Sequence, residues 1–225
     1  MAYPSRRRSR RFDFDLFVRE SKTIFQRIAT RDSRHQSLER VYAFHVLPGG
    51  RADGVDKRVF EVFYGQRPFE KVTELVQGKG AIPKVHDRLL TEQGATLLYE
   101  RSDDGIVMCT LYPAGSEHYR RREDAIILAI IRGTHVLTGA PILERHWRAF
   151  MSYMQCTCLE GEPTIGDRLR VWWLISTRRL IINNKAEVAK VWTVSARIIT
   201  FSISVGLSGF LLAIVQWWFN KYQCH

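Results

Sequence analysis

Residues 94–113 read GATLLYERSDDGIVMCTLYP. Two apolar runs, 95–100 and 106–112, flank RSDDG, whose Asp104-Gly105 pair can take the positive φ that a tight reversal needs. The stretch therefore predicts a β-hairpin, and the rest of the fold is read outward from it. Upstream, residues 39–47 and 57–64 are rich in β-branched and aromatic side chains. A loop containing Pro48, Gly49, Gly50 and Gly54 separates them, so they read as a second pair of strands. Downstream, residues 123–133 (EDAIILAIIRG) fit a buried strand or a helix equally, because periodicity cannot separate the two over so short an apolar run.

Helices are expected around this sheet. Over residues 13–30, Phe14, Phe17, Ser21, Ile24, Phe25 and Ile28 fall at helical spacing and give an aromatic face that requires a partner. In RPFEKVTELVQG, Pro68 suits a first helical turn, Phe69, Val72 and Val76 share a face, and Gly78 is a stop. A short helix is expected over 84–93, ending at Gly94. Residues 140–155 place Leu143, Trp147, Met151 and Met154 along one side, with Pro141 at the start. TIGDRLRVWWLISTRRL, 164–180, opens with Thr164 and Asp167 at capping-box spacing and sets Trp172 and Trp173 among Arg168, Arg170, Arg178 and Arg179. Such a basic, tryptophan-bearing helix fits a membrane interface, and it equally fits a core helix with an exposed basic face.

The chain ends differently from how it begins. Residues 198–219, IITFSISVGLSGFLLAIVQWWF, contain no charged side chain. At 1.5 Å per residue they extend roughly 33 Å, the thickness of a bilayer's hydrocarbon core. Trp192, Trp217, Trp218 and Tyr222 flank the run as an interfacial belt would. Arg178, Arg179, Lys185, Lys190 and Arg197 precede it and only Lys221 follows. That bias places the N-terminal part in the cytoplasm of a single-pass, tail-anchored chain at the cell inner membrane. The start, MAYPSRRRSRRFDFD, lacks the apolar core of an export signal.

The expected fold class is thus α+β: an antiparallel sheet of four to five strands with helices packed on one side, followed by one C-terminal transmembrane helix. Four regions are expected: a basic disordered tail at 1–12, a cytoplasmic α+β domain at 13–160, a basic Trp-rich juxtamembrane helix region at 161–190, and the transmembrane helix with its flanks at 191–222.

A formal charge of +11 points to a polyanionic partner. With an anchor present, lipid is the economical choice over nucleic acid. Arg6, Arg7, Arg8, Arg10 and Arg11, with Arg178 and Arg179, are the candidate membrane-surface or polyanion contacts. Within the span, Ser202, Gly206, Gly209 and Ala213 form a small-residue face suited to helix packing and self-association. Arg197, Thr200, Ser204 and Ser208 form a polar face on the other side. Those hydroxyls can line a pore in an assembly, or bond back to their own helix and face lipid.

No constellation for catalysis emerges. There is no phosphate-binding glycine loop, nucleophile elbow or H-E-x-x-H, and GKGAIPK (78–84) has the wrong spacing. Cys109, Cys156, Cys158 and Cys224 are too few and too irregular for a disulfide framework or a zinc site. No cofactor or metal is expected. The seven histidines are scattered, and Arg34-His35 and Arg145-His146 are too short to specify a nuclease. The one suggestive cluster is SEHYRRRED, 116–124: Arg120, Arg121 and Arg122 for a phosphate, with Glu117, His118, Glu123 and Asp124 as acid/base groups.

Three functional expectations follow. The first is a membrane-anchored protein whose cytoplasmic domain binds or senses a partner, in one version a membrane-perturbing effector of a bacterial defence system. The second is a membrane scaffold or accessory subunit that recruits a protein through the aromatic face of 13–30. The third is an enzyme acting on a phosphorylated substrate through 116–124.

Overall fold

The computed structural model describes residues 6–51, 57–76 and 84–187. The fold is α+β, built on a large antiparallel sheet with helices. Seven strands lie in the order β1 (Phe44–Pro48), β2 (Val59–Tyr64), β5 (Thr96–Arg101), β6 (Val107–Tyr112), β8 (Ala125–Ile131), β9 (Arg179–Ile182) and β10 (Lys185–Glu187). A separate three-stranded sheet joins β3 (Gln66–Val76), β4 (Lys84–Gln93) and the two-residue β7 (Gly115–Ser116). The expected hairpin is β5–β6: Tyr99 pairs with Cys109 and Leu98 with Thr110, while Gly105 takes φ 83° in the turn.

Side chains alternate across this sheet. Phe60, Val62 and Tyr64 of β2, Leu97 and Tyr99 of β5, and Val107, Cys109 and Leu111 of β6 point to one face and are buried. Helix α1 (Arg6–Thr30) covers that face with Phe14, Phe17 and Phe25. Helix α3 (Ala140–Thr157) adds Leu143, Trp147, Phe150, Met151 and Met154. Their rings interlock: Phe17 meets Tyr99 at 5.1 Å, and Phe150 stacks on Tyr64 at 5.6 Å. Each such ring contributes on the order of 2 kcal/mol by leaving water. The opposite face is more open, with Ile130 and Tyr112 exposed. There the Arg51 guanidinium lies 3.9 Å over the Phe63 ring and also bonds Glu61 and Thr96.

The structure corrects several expectations. Residues 66–76 and 84–93 are not helices; they are the long ribbon β3–β4, in register from Gln66↔Gln93 to Val76↔Lys84. Phe69, Val72 and Val76 do recur at helical spacing, but Val72, Thr73 and Val76 are β-branched, and a partner strand decides in favour of the pleat. Pro68 sits at the ribbon's bulge, where a missing N–H costs least. Residues 123–133 resolve as strand β8.

Helix α1 begins at Arg6 rather than near residue 13, so the basic cluster expected in a disordered tail is helical from Arg6 onward. The sheet has seven strands rather than four or five, because the region read as juxtamembrane helix ends its helix, α4 (Ile165–Thr177), early and returns as β9–β10. Asn183 and Asn184, at φ 50° and 59°, form the two-residue turn. Adjacent positive φ values are the mark of a type I′ reversal, so LIINNK was a hairpin signal that the sequence reading missed.

Candidate functional site

Helix α4 starts where its sequence says it should. The Thr164 hydroxyl accepts from the Asp167 amide at 3.1 Å, and an Asp167 carboxylate oxygen accepts from the Thr164 amide at 3.1 Å, completing the capping box. Asp167 also faces inward, where its other oxygen accepts from Ser152 at 2.6 Å and from the Arg34 guanidinium at 2.9 Å. Burial raises the pKa of this carboxyl, but hydrogen bonds from Ser152 and Thr164 and the Arg34 charge outweigh it and hold it below the ordinary aspartate value. Arg34 is itself held by Asp32, the N-cap of α2 (Ser33–Glu39), and Asp32 accepts from the Trp147 indole at 3.0 Å. The polar lock therefore joins α2, α3 and α4.

The other side of α4 is the unusual one. Asp167, Val171 and Leu174 are buried, while Ile165 (79% exposed), Leu169 (61%), Trp172 (63%) and Trp173 (60%) project to the opposite side. Positions i, i+4 and i+7 make this a continuous apolar stripe. Exposed Arg168 and Arg170 flank it, and Arg178 and Arg179, two of the candidate polyanion contacts, are exposed at its C-terminal end. Beside Trp172 opens a cleft of about 370 Å³, walled by Cys156, Pro163, Val171 and Ile175 and rimmed by Arg121 and Arg168.

A second cleft, of about 460 Å³, gathers part of the 116–124 cluster between β4, β7 and the end of β6. Arg120, Arg121, Glu117, Glu123 and Asp124 line it together with Gln93, whereas Arg122 and His118 are exposed and do not. The carboxylates have structural partners. Glu123 accepts from the Tyr153 hydroxyl at 3.1 Å and faces Arg121 at 3.4 Å; Glu117 pairs with Arg88. The two arginines could hold a phosphate, and the hydroxyl–carboxylate pair beside them, Tyr153 and Glu123, is buried.

The remaining candidates are mostly core. His35 and His146 are both buried, which removes the two Arg-His dipeptides as nuclease elements. The His146 Nδ1 lies 2.9 Å from the Tyr99 hydroxyl and 3.5 Å from Cys109 Sγ. Burial, with Arg145 and Arg178 adding to it, lowers the His146 pKa to about 4, so the ring is neutral. Cys109 has no access to solvent, and burial pushes its thiol up. Among the described residues no group of three or more His, Cys, Asp or Glu side chains could hold a metal ion.

The aromatic face of 13–30 is not a docking surface either: Phe14, Phe17 and Phe25 are fully buried, and their partner is this chain's own sheet. Of the N-terminal arginines, Arg7 and Arg11 donate to the Asp103 carbonyl at 2.7 and 3.0 Å, seating α1 on the β5–β6 turn. Arg6, Arg8 and Arg10 share those first turns.

Among the described residues no helix is long and apolar enough to cross a membrane. The run 198–219 lies outside them, as do Arg197, Thr200, Ser202, Ser204, Gly206, Ser208, Gly209 and Ala213. Comparison with protein-family models, curated proteins and solved structures finds no match.

Proposed function

We propose that the chain is a single-pass, membrane-anchored protein whose cytoplasmic α+β domain binds or senses a partner at the inner membrane surface. One observation carries this: the 22-residue uncharged run 198–219 follows a domain that ends on a sheet edge, with Glu187 paired to Leu180. The connection, residues 188–197, extends at most about 35 Å, so the domain stays close to any bilayer the run enters. Alkaline carbonate washing of membranes from expressing cells tests the reading. The intact chain remains in the pellet, and a chain lacking residues 191–222 is released. Recovery of the intact chain as a soluble monomer overturns it.

A second reading has its own support in the cleft lined by Arg120 and Arg121, which suits a phosphorylated ligand. Titration with inorganic phosphate followed by NMR checks it. Arg120→Gln with Arg121→Gln removes the shifts of cleft residues if the cleft holds the anion, and identical titrations of both proteins sink the idea.

A further inference from the structure

We propose that α4 is a second membrane contact, lying in the plane of the interface of an anionic bilayer and fixing the orientation of the domain against it. This rests on the anchored reading above and names the lipid surface as the partner.

Three independent features converge. The outward side of α4 is apolar from Ile165 to Trp173, and Asp167, its one acidic residue, is turned inward and buried. A solvent-facing helix normally reverses this arrangement; an in-plane interfacial helix has it, with tryptophan at the headgroup level and cations beside it.

The second feature is position. The last described residue, Glu187, is in register with Leu180, three residues beyond the end of α4. The described chain therefore ends beside the C-terminal end of this helix, at the edge of the sheet opposite β1.

The third is charge. Arg168, Arg178 and Arg179 border the stripe, and Arg168 has no carboxylate partner among the described residues, whereas Arg170 turns to the polar lock, donating to Ser152 at 2.8 Å and lying 3.9 Å from Asp167. Next to Trp172, the 370 Å³ cleft joins the apolar Pro163, Val171 and Ile175 to Arg168 and to Arg121, which also faces Glu123 at 3.4 Å. Apolar walls beside cations match the ester and phosphate region of an anionic glycerophospholipid. A protein partner would find the same stripe, but nothing else in the fold selects one, whereas the exit of the chain selects the membrane.

The test uses the full chain reconstituted in vesicles of phosphatidylcholine alone or mixed with phosphatidylglycerol. The lipids are brominated near the headgroup end of the acyl chain so that they quench nearby tryptophan. Two of the chain's six tryptophans are at stake. In the mixed vesicles, Trp172→Phe with Trp173→Phe loses part of the lipid-quenched emission. That lost component is also the part protected from aqueous acrylamide in the parent protein. Arg168→Gln weakens the same component, inorganic phosphate does not displace it, and vesicles without phosphatidylglycerol show less of it. A lipid-quenched emission unchanged by the double tryptophan substitution overturns the proposal. So does a Trp172 and Trp173 signal shielded from acrylamide and bromolipid alike, which means that protein covers the stripe. Displacement by free phosphate also overturns it, since the cleft then serves a soluble anion. Both tryptophans are exposed, so the variant folds, and its melting midpoint confirms that. Carbonate washing separates the two readings: a chain that stays in the pellet with unaltered quenching refutes the α4 contact alone.

Discussion

Asp167→Asn should destabilise the domain by about 3 kcal/mol, and the figure follows from who donates to the carboxylate. One oxygen serves Arg34 and Ser152, and the other serves the Thr164 amide and hydroxyl. An asparagine offers one acceptor oxygen and turns an NH2 group towards donors on the other side. Two donors thus lose their acceptor in a site only 2% exposed. A charged hydrogen bond of this kind is worth about 1.5–3 kcal/mol, and an unpaired amide about 1 kcal/mol more. The loss stays below that of a fully orphaned ion pair because Arg34 keeps both bonds to Asp32, at 3.0 and 2.8 Å. Near-UV circular dichroism of the full chain in mild detergent reads the melting midpoint, which should fall by roughly 6–12 °C at neutral pH. The sign of the pH dependence is fixed as well. The folded pKa lies below the unfolded one, so the Asp167 contribution is fully present above the ordinary aspartate range. It is lost as the pH falls through the folded value. The gap between parent and variant must therefore close in acid. A variant that melts within about 2 °C of the parent at pH 7 would refute the lock, as would a gap that widens in acid.

Other expectations concern the core. His146, depressed to about 4 by burial, stays neutral in the fold while the unfolded chain protonates near 6.5. Stability is then lost between those two values, by about 2 kcal/mol from pH 7 to pH 5, and His146→Gln flattens that slope in melting curves. A Cβ on Gly94 would overlap the Cβ and carbonyl of Tyr64, so Gly94→Ala costs about 3 kcal/mol. Gly166 has room, with Thr164 Oγ1 3.7 Å away, so Gly166→Ala gains about 0.5 kcal/mol; paired denaturant titrations check the opposite signs. Cys109 is fully buried and the Cys158 thiol is pushed up to about 12 by burial and Glu92, so both resist maleimide at neutral pH. Cys156, half-buried, reacts before either; mass mapping that finds Cys109 labelled first in the native protein contradicts the core described.

What could be read from residues alone was what local chemistry decides. The Asp104-Gly105 turn, the capping box of Thr164 and Asp167, and the apolar face of 140–155 each depend on neighbours within a few positions, and each is where the sequence placed it. The β3–β4 ribbon was misread because its apolar spacing satisfies a helix, and only the partner strand makes extended backbone the better choice. The reach of α1 back to Arg6 was hidden for a similar reason: Arg7 and Arg11 are ordered by a carbonyl more than ninety residues away. The 116–124 cluster was legible as a charge pattern, but pairing with Arg88 and Tyr153 spends its carboxylates, and no spacing rule reveals that.

The same reasoning explains how α4 chooses its faces. Hydrophobicity does not decide the matter. Val171 and Leu174 are buried, yet Ile165, Leu169, Trp172 and Trp173 on the outside offer a larger apolar surface. A half-turn of the helix about its axis would bury more grease than it exposes, and by area alone that arrangement is favoured. Such a turn would carry Asp167 to the surface and leave Ser152 and one bond of Arg34 unmatched, while the capping box would no longer meet α3. A buried carboxylate adds little net stability, but it is intolerant of the wrong partner, so it sets direction where apolar contacts are indifferent. The polar lock thus holds the tryptophans outward although apolar area alone favours their burial, which is the arrangement that the proposed bilayer contact uses.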